Sequence, residues 1–178
     1  MTTIQPFVEN YLIVNGYMGA TSKVIAAENY PSYPSLTTYF YRSISGTPFA
    51  GNNPFFDEII NGLRITRGVT EHDTMINFLD EGYRLIDCYD HSMTPYTPAL
   101  ILDDLITLNA DKIIFLDDDN IETIKRISNY LHLHPNNHIL SKIIPDLTRA
   151  KLVYPFPSYG NKARFKRSID FALDNGLF

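Results

Sequence analysis

The 178-residue chain has a single cysteine, Cys88, and no tryptophan. One cysteine excludes an internal disulfide and a cysteine-cluster metal site, and it fits a reducing compartment. Apolar runs are short. None approaches the roughly 20 residues that span a bilayer, and the opening MTTIQPFVEN has neither the basic start nor the apolar centre of a secretory signal. A cytoplasmic protein without a membrane partner is the expectation. Basic residues are scarce as well: residues 1–148 hold 9 Lys/Arg against 18 Asp/Glu, a balance of −9. Residues 149–167 hold six Lys/Arg and no acid, and the last eleven residues add two acids, which brings the whole to −5. A protein that grips many phosphates carries a basic face, and only 149–167 can supply one.

The residues that are abundant point to a folded domain. Apolar residues make up 44% and aromatic residues 13% of the chain, more than a disordered acidic chain carries, and the length suits one core over residues 1–178. Four short apolar runs read as strands: Tyr11–Val14, Tyr83–Cys88, Lys112–Leu116 and Lys151–Tyr154. Between and after them, helical spacing recurs at Phe55, Phe56, Ile59, Ile60 and Leu63; at Met75, Phe78 and Leu79; at Leu100, Leu102, Leu105 and Ile106; at Ile121, Ile124, Ile127 and Leu131; and at Phe165, Ile169, Ala172 and Leu173. Strands alternating with helical crossovers predict an α/β fold: a single three-layer domain with a mainly parallel four-stranded sheet flanked by helices. In such sheets ligands sit beyond the carboxyl ends of the strands. The loops of interest are then Asn15–Gly19, Asp87–Thr94, Asp117–Asn120 and Pro155–Asn161.

Each of these loops has a chemical and a structural reading. Asn15-Gly16-Tyr17-Met18-Gly19 offers two glycines where a base or phosphate could approach the backbone, or where a chain simply turns. Neither GxGxxG nor GxxxxGK[ST] is present. Asn53-Pro54 reads as a helix cap followed by a first-turn proline, and Phe49, just before it in a Gly/Asn/Pro-rich stretch, as a stacking platform or a core residue. Asp87, Asp90 and His91 can supply an acid–base pair at the end of the second strand. Asp117-Asp118-Asp119-Asn120 follows the third. Carboxylates there suit Mg²⁺ and resemble part of a haloacid-dehalogenase phosphatase, implying phosphotransfer centred on Asp117 and Asp119; the other reading is a capped helix start. His132, His134 and His138 lack the carboxylate or cysteine partners of a zinc site and read as a helix end and loop, so no metal or other cofactor is expected. Lys162, Arg164, Lys166 and Arg167 crowd the start of the last helix, against its dipole, which a bound phosphate would relieve.

Taken in chain order, these pieces resemble the uracil-DNA glycosylase superfamily, its mismatch-specific branch most of all. The resemblance implies a parallel four-stranded sheet with a base pocket at the strand ends. It sets Asn15-Gly16-Tyr17-Met18-Gly19 against the motif GxNPG or GxDPY, putting Tyr17 at the catalytic Asn or Asp position with Asn15 adjacent, while Asp87 or Asp90 could supply chemistry from elsewhere. It makes Phe49 the ring that stacks on the base, with Asn53 opening the helix behind it. Phe156-Pro157-Ser158 stands against HPSP or NPSG, so Phe156 and Ser158 would touch the base. Tyr159, Asn161, Lys162, Arg164, Lys166 and Arg167 would then meet DNA. The implied activity is N-glycosidic hydrolysis on nucleic acid; a protein that only binds a nucleotide or single strand is the alternative.

Overall fold

A computed structural model of the chain describes residues 4, 6–27, 54–90, 94–117, 122–134, 153–155 and 162–177. The first element differs from the expectation. Tyr11–Val14 belongs to a helix, α1 (Pro6–Val14), and the first strand is β1 (Ser22–Ala27). Ile4, Val8 and Leu12 recur every four residues and are buried, whereas Ile13 and Val14 are 59% and 72% exposed. That one-sided burial is helical, and it overrides the strand preference of the β-branched pair. Elsewhere the helical spacings fall on helices: α2 (Pro54–Gly62), α3 (Glu71–Asp80), α4 (Pro98–Thr107), α5 (Glu122–Leu133) and α6 (Lys162–Asp174). The other three apolar runs fall on β2 (Tyr83–Asp87), β3 (Ala110–Asp117) and β4 (Val153–Pro155).

The fold is α/β, an open parallel sheet flanked by helices. β1 lies between β2 and β3, with Ile25 opposite both Leu85 and Ile114. The short β4 runs parallel to β3 from Phe115 to Asp117, so the order is β2-β1-β3-β4. Val24 to Ala27 and all of β2 are buried. Successive strand residues face opposite sides, so a run buried throughout means that both faces are covered. Right-handed crossovers explain how: β1 to β2 runs one way along the sheet, whereas β2 to β3 and β3 to β4 run the other way, which sends their helices to opposite faces. The packing agrees, α4 against α5 and α2 against α6.

Local chemistry fixes the helix ends. Thr70 and Asp73 form a reciprocal capping box at α3, Thr70 Oγ1 accepting from the Asp73 N–H at 3.1 Å and Asp73 Oδ2 from the Thr70 N–H at 3.2 Å. Thr97 caps α4 ahead of Pro98. Glu58 meets Lys162, Gly62 meets Phe165, and Arg64 meets Asp170 and Asp174, so α2 and α6 run side by side in the same direction. Gly62 makes that approach close: a Cβ there would sit 2.8 Å from Cε1 of Phe165, itself 1% exposed. Gly62→Ala is therefore expected to cost about 1–3 kcal/mol of stability although Ala is the better helix former. Urea unfolding measures it, and an unchanged or higher midpoint would contradict this packing.

Candidate functional site

In this topology the connections reverse direction between β1 and β3. The crevice that such a reversal opens beyond the carboxyl ends is the usual ligand position in open α/β sheets. Ala27 and Leu116 are paired at its base, and Asp87 of β2 is level with Ala27 on the other side. Asp87 is the best-placed ionisable group among the described residues. It is 7% exposed, and burial pushes its carboxyl up to about 7. A carboxyl titrating near neutrality can both take and give a proton.

The chain leaving β2 folds back over this edge. Tyr96 N–H donates to the Cys88 carbonyl at 3.0 Å, Asp90 N–H to the Thr94 carbonyl at 2.9 Å, and Asp90 Oδ1 accepts from the Thr94 N–H at 2.9 Å. Tyr96 is half-buried; burial raises its phenol pKa first, and the charges of Asp87, Asp90 and Asp104 raise it further. Tyr89 pairs with Pro95, and its ring lies 5.3 Å from the Arg126 guanidinium, whose Nη2 also donates to the Tyr89 hydroxyl at 3.3 Å. The edge thus gathers a near-neutral carboxyl, two phenols and a guanidinium, groups that suit a planar, hydrogen-bonding ligand. Cys88 is fully buried beside them.

Asn15 and Tyr17 stand at the opposite end of the sheet, which corrects the expectation that their loop follows the first strand. Their loop joins α1 to the amino end of β1: Asn109 Nδ2, just before β3, donates to the Gly19 carbonyl at 2.7 Å, and Ser22 N–H donates to the Asn109 carbonyl at 3.1 Å. Asn15 Nδ2 donates to the Tyr11 carbonyl at 2.8 Å, and Gly16, at φ +71°, turns the chain so that Tyr17 N–H reaches the Leu12 carbonyl at 2.8 Å. These contacts terminate a helix. Tyr17 joins a second cluster there, in which Tyr11 donates to Asp80 at 2.6 Å and the Arg84 guanidinium lies 5.9 Å from the Tyr17 ring. The charge of Asp80 is the main cause raising the Tyr17 phenol pKa, while burial chiefly carries the Tyr11 phenol up to about 12.

The basic start of α6 is partly neutralised within the protein. Lys162 pairs with Glu58 at 3.5 Å and Lys166 with Asp170 at 3.1 Å; Arg164 and Arg167 are exposed. Phe49, Asn53, Phe156, Ser158, Tyr159 and Asn161 lie outside the described residues, as do His91, His138 and Asp118 to Asn120. His132 and His134 do stand at the end of α5, His134 stacking on Tyr130 at 4.3 Å, and no metal-ligand group occurs among the described residues.

Sequence reasoning missed Tyr89, Tyr96 and Arg126. The signal for Tyr96 was present: Thr97-Pro98 marks a helix start, so Tyr96 must lie in the turn that enters it. The stretch that follows the first strand, Glu28-Asn29-Tyr30-Pro31 in the sequence, lies outside the described residues. No helix among the described residues is long and apolar enough to cross a membrane. No family model, curated protein or solved structure matches the chain.

Proposed function

We propose that this protein binds a nucleobase in the crevice at the carboxyl ends of β1 and β3 and hydrolyses its N-glycosidic bond, in the manner of the uracil-DNA glycosylase superfamily that its sequence resembles. The observation that carries the reading is the parallel order β2-β1-β3-β4, reversing between β1 and β3, with buried Asp87 at that edge. A four-stranded glycosylase-like sheet accommodates this order.

The position of β1 also moves the motif register. Counted from the end of β1, the chain reads Ala27-Glu28-Asn29-Tyr30-Pro31, so Asn29 takes the Asn position of GxNPG, and Tyr30 replaces the motif's proline. The first strand of the phosphatase alternative should end in an Asp nucleophile, and this sequence has none after β1.

In this reading the Asn29 amide orients a water against C1′ of the sugar. The water oxygen forms the new C1′–O bond as the C1′–N bond breaks. The electron pair of that bond leaves with the base, and Asp87 takes the proton that the water releases. The resemblance assigns Phe49 to stacking on the base and Phe156 and Ser158 to contact with it. A single-turnover assay on oligonucleotides carrying uracil or hypoxanthine tests the proposal. Abasic product is expected from at least one of them, lost on Asn29→Ala. Binding without abasic product from either would reject hydrolysis and leave a base-binding protein.

A further inference from the structure

The amino ends of β1, β2 and β3 surround a cavity of about 270 Å³, at the opposite end of the sheet from Asp87. Lys23, Glu81, Asp111 and Lys112 line it. Lys23 lies in the middle: its backbone N–H donates to the Gly82 carbonyl at 2.9 Å, and it stands opposite Tyr83 on one side and Lys112 on the other. Residues paired across parallel strands leave the sheet on the same face, so the two lysines are neighbours, and like charges placed in this way cost stability. Burial lowers the Lys23 amine from its ordinary value; Glu81 pulls it upward and Lys112 pushes it down again. The Tyr83 ring lies 4.1 Å from the Lys23 ammonium, but no carboxylate among the described residues comes within ion-pair distance of either lysine.

The two acids reach the cavity by separate routes. Ser22 is opposite Ala110 and Lys23 is opposite Lys112, so Asp111 is an extra residue in the pairing of β1 with β3. In a regular strand Asp111 and Lys112 would face opposite sides, and this irregularity lets both line one cavity. Glu81 caps the carboxyl end of α3, and α4 also ends just before its strand. Helix carboxyl ends carry partial negative charge. The cavity therefore combines half-buried cations with exposed carboxylates and the negative end of a helix.

We propose that this cavity binds a free α-amino acid, its carboxylate between Lys23 and Lys112 and its ammonium toward Glu81 and the carboxyl end of α3. The inference goes beyond the nucleobase crevice and does not depend on it. Two cations and two carboxylates in the lining sum to zero, which matches a zwitterion better than an anion or a cation alone. Size agrees, because at about 30 Å³ per water the cavity holds about nine waters, close to the heavy atoms of a mid-sized amino acid. The ligand carboxylate relieves the repulsion that the lysine pair otherwise carries.

The test begins with the common L-amino acids, added one at a time at millimolar concentration, and the rise in Tm that each produces. The one giving the largest rise is then titrated while backbone amide shifts are recorded. Saturable shifts are expected at Thr21 to Lys23, Glu81 to Gly82 and Asp111 to Lys112. Its amide, which keeps only the ammonium, and the carboxylic acid lacking the amino group should each bind at least about tenfold more weakly. Lys112→Gln should weaken the amino acid about tenfold without lowering the urea midpoint, since it removes one of two neighbouring like charges. Glu81→Gln should weaken the amino acid about tenfold but not the acid lacking the amino group, a split that general loss of structure would not produce. Lys125→Gln, exposed on α5, should change affinity less than about twofold. No rise in Tm with any amino acid, or shifts that fall at Asp87 to Tyr96 instead, would overturn the proposal. Equal affinity for the acid lacking the amino group, or no effect of Glu81→Gln, would overturn the zwitterion assignment and leave a carboxylate site.

Discussion

Asp87→Asn is expected to make the protein more stable at pH 8 by about 1–3 kcal/mol while lowering turnover in the proposed glycosylase reaction by about 10²–10⁴. The stability arm rests on burial. The Asp87 carboxyl moves from an ordinary value of 3.8 to about 7 because burial penalises its charge. The folded state therefore keeps a proton between those pH values that the unfolded chain has released. The stabilisation is full below about pH 4 and is lost as pH rises through about 7, a span worth up to about 4 kcal/mol. Asn cannot ionise, so the variant's advantage should grow from near zero at pH 4 to its maximum by pH 8. Taking the difference between the two proteins cancels the other carboxylates, including Asp170, which Lys166 and Arg64 shift downward. Urea unfolding at several pH values reads this directly. A variant less stable than the parent at pH 8 would show that Asp87 is held in place by its contacts rather than strained by burial. The activity arm is separate: a group retained at a cost to stability should be one that function uses.

Phe115→Ala should remove about 3–5 kcal/mol, a large share of the 5–15 kcal/mol typical of a domain. Phe115 is 2% exposed on β3, opposite Ala26 of β1 and Val153 of β4. Little can collapse into the space its ring would leave, because backbone ladders hold the strands on either side. The loss should appear as a lower urea midpoint with an unchanged slope. Phe171→Ala provides the contrast: the same side chain deleted from an exposed position should shift stability by no more than about 0.5 kcal/mol. Equal effects at the two positions would contradict the burial described for α6 and β3.

The helices were legible because amphipathic spacing reports burial directly: Phe56, Ile59 and Ile60 in α2 and Phe165, Ile169 and Ala172 in α6 are all core residues. β2 and β3 were legible as apolar runs bounded by polar residues. β1 was not. Its run, Ser-Lys-Val-Ile-Ala-Ala, has only two β-branched residues and ends in alanines, which local preference does not assign to a strand. Tyr11-Leu12-Ile13-Val14 has the stronger strand composition, and only the four-residue recurrence of Ile4, Val8 and Leu12 reveals the helix. That one exchange carried Asn15 and Tyr17 to the wrong end of the sheet. Asp87 was legible as the end of a strand because β2 was legible. The Tyr89–Arg126 contact was not, since it joins residues 37 apart and depends on how α5 packs beside the edge.

Titrating the protein with free uracil while recording backbone amide shifts tests the central claim most directly. Perturbations are expected at Ala27, at Asp87 to Asp90 and at Thr94 to Tyr96, with Asn15 to Gly19 unmoved at the far end of the sheet. Shifts confined to Asn15–Gly19 and its neighbours, or none at millimolar base, would contradict a nucleobase site at the carboxyl ends of the strands.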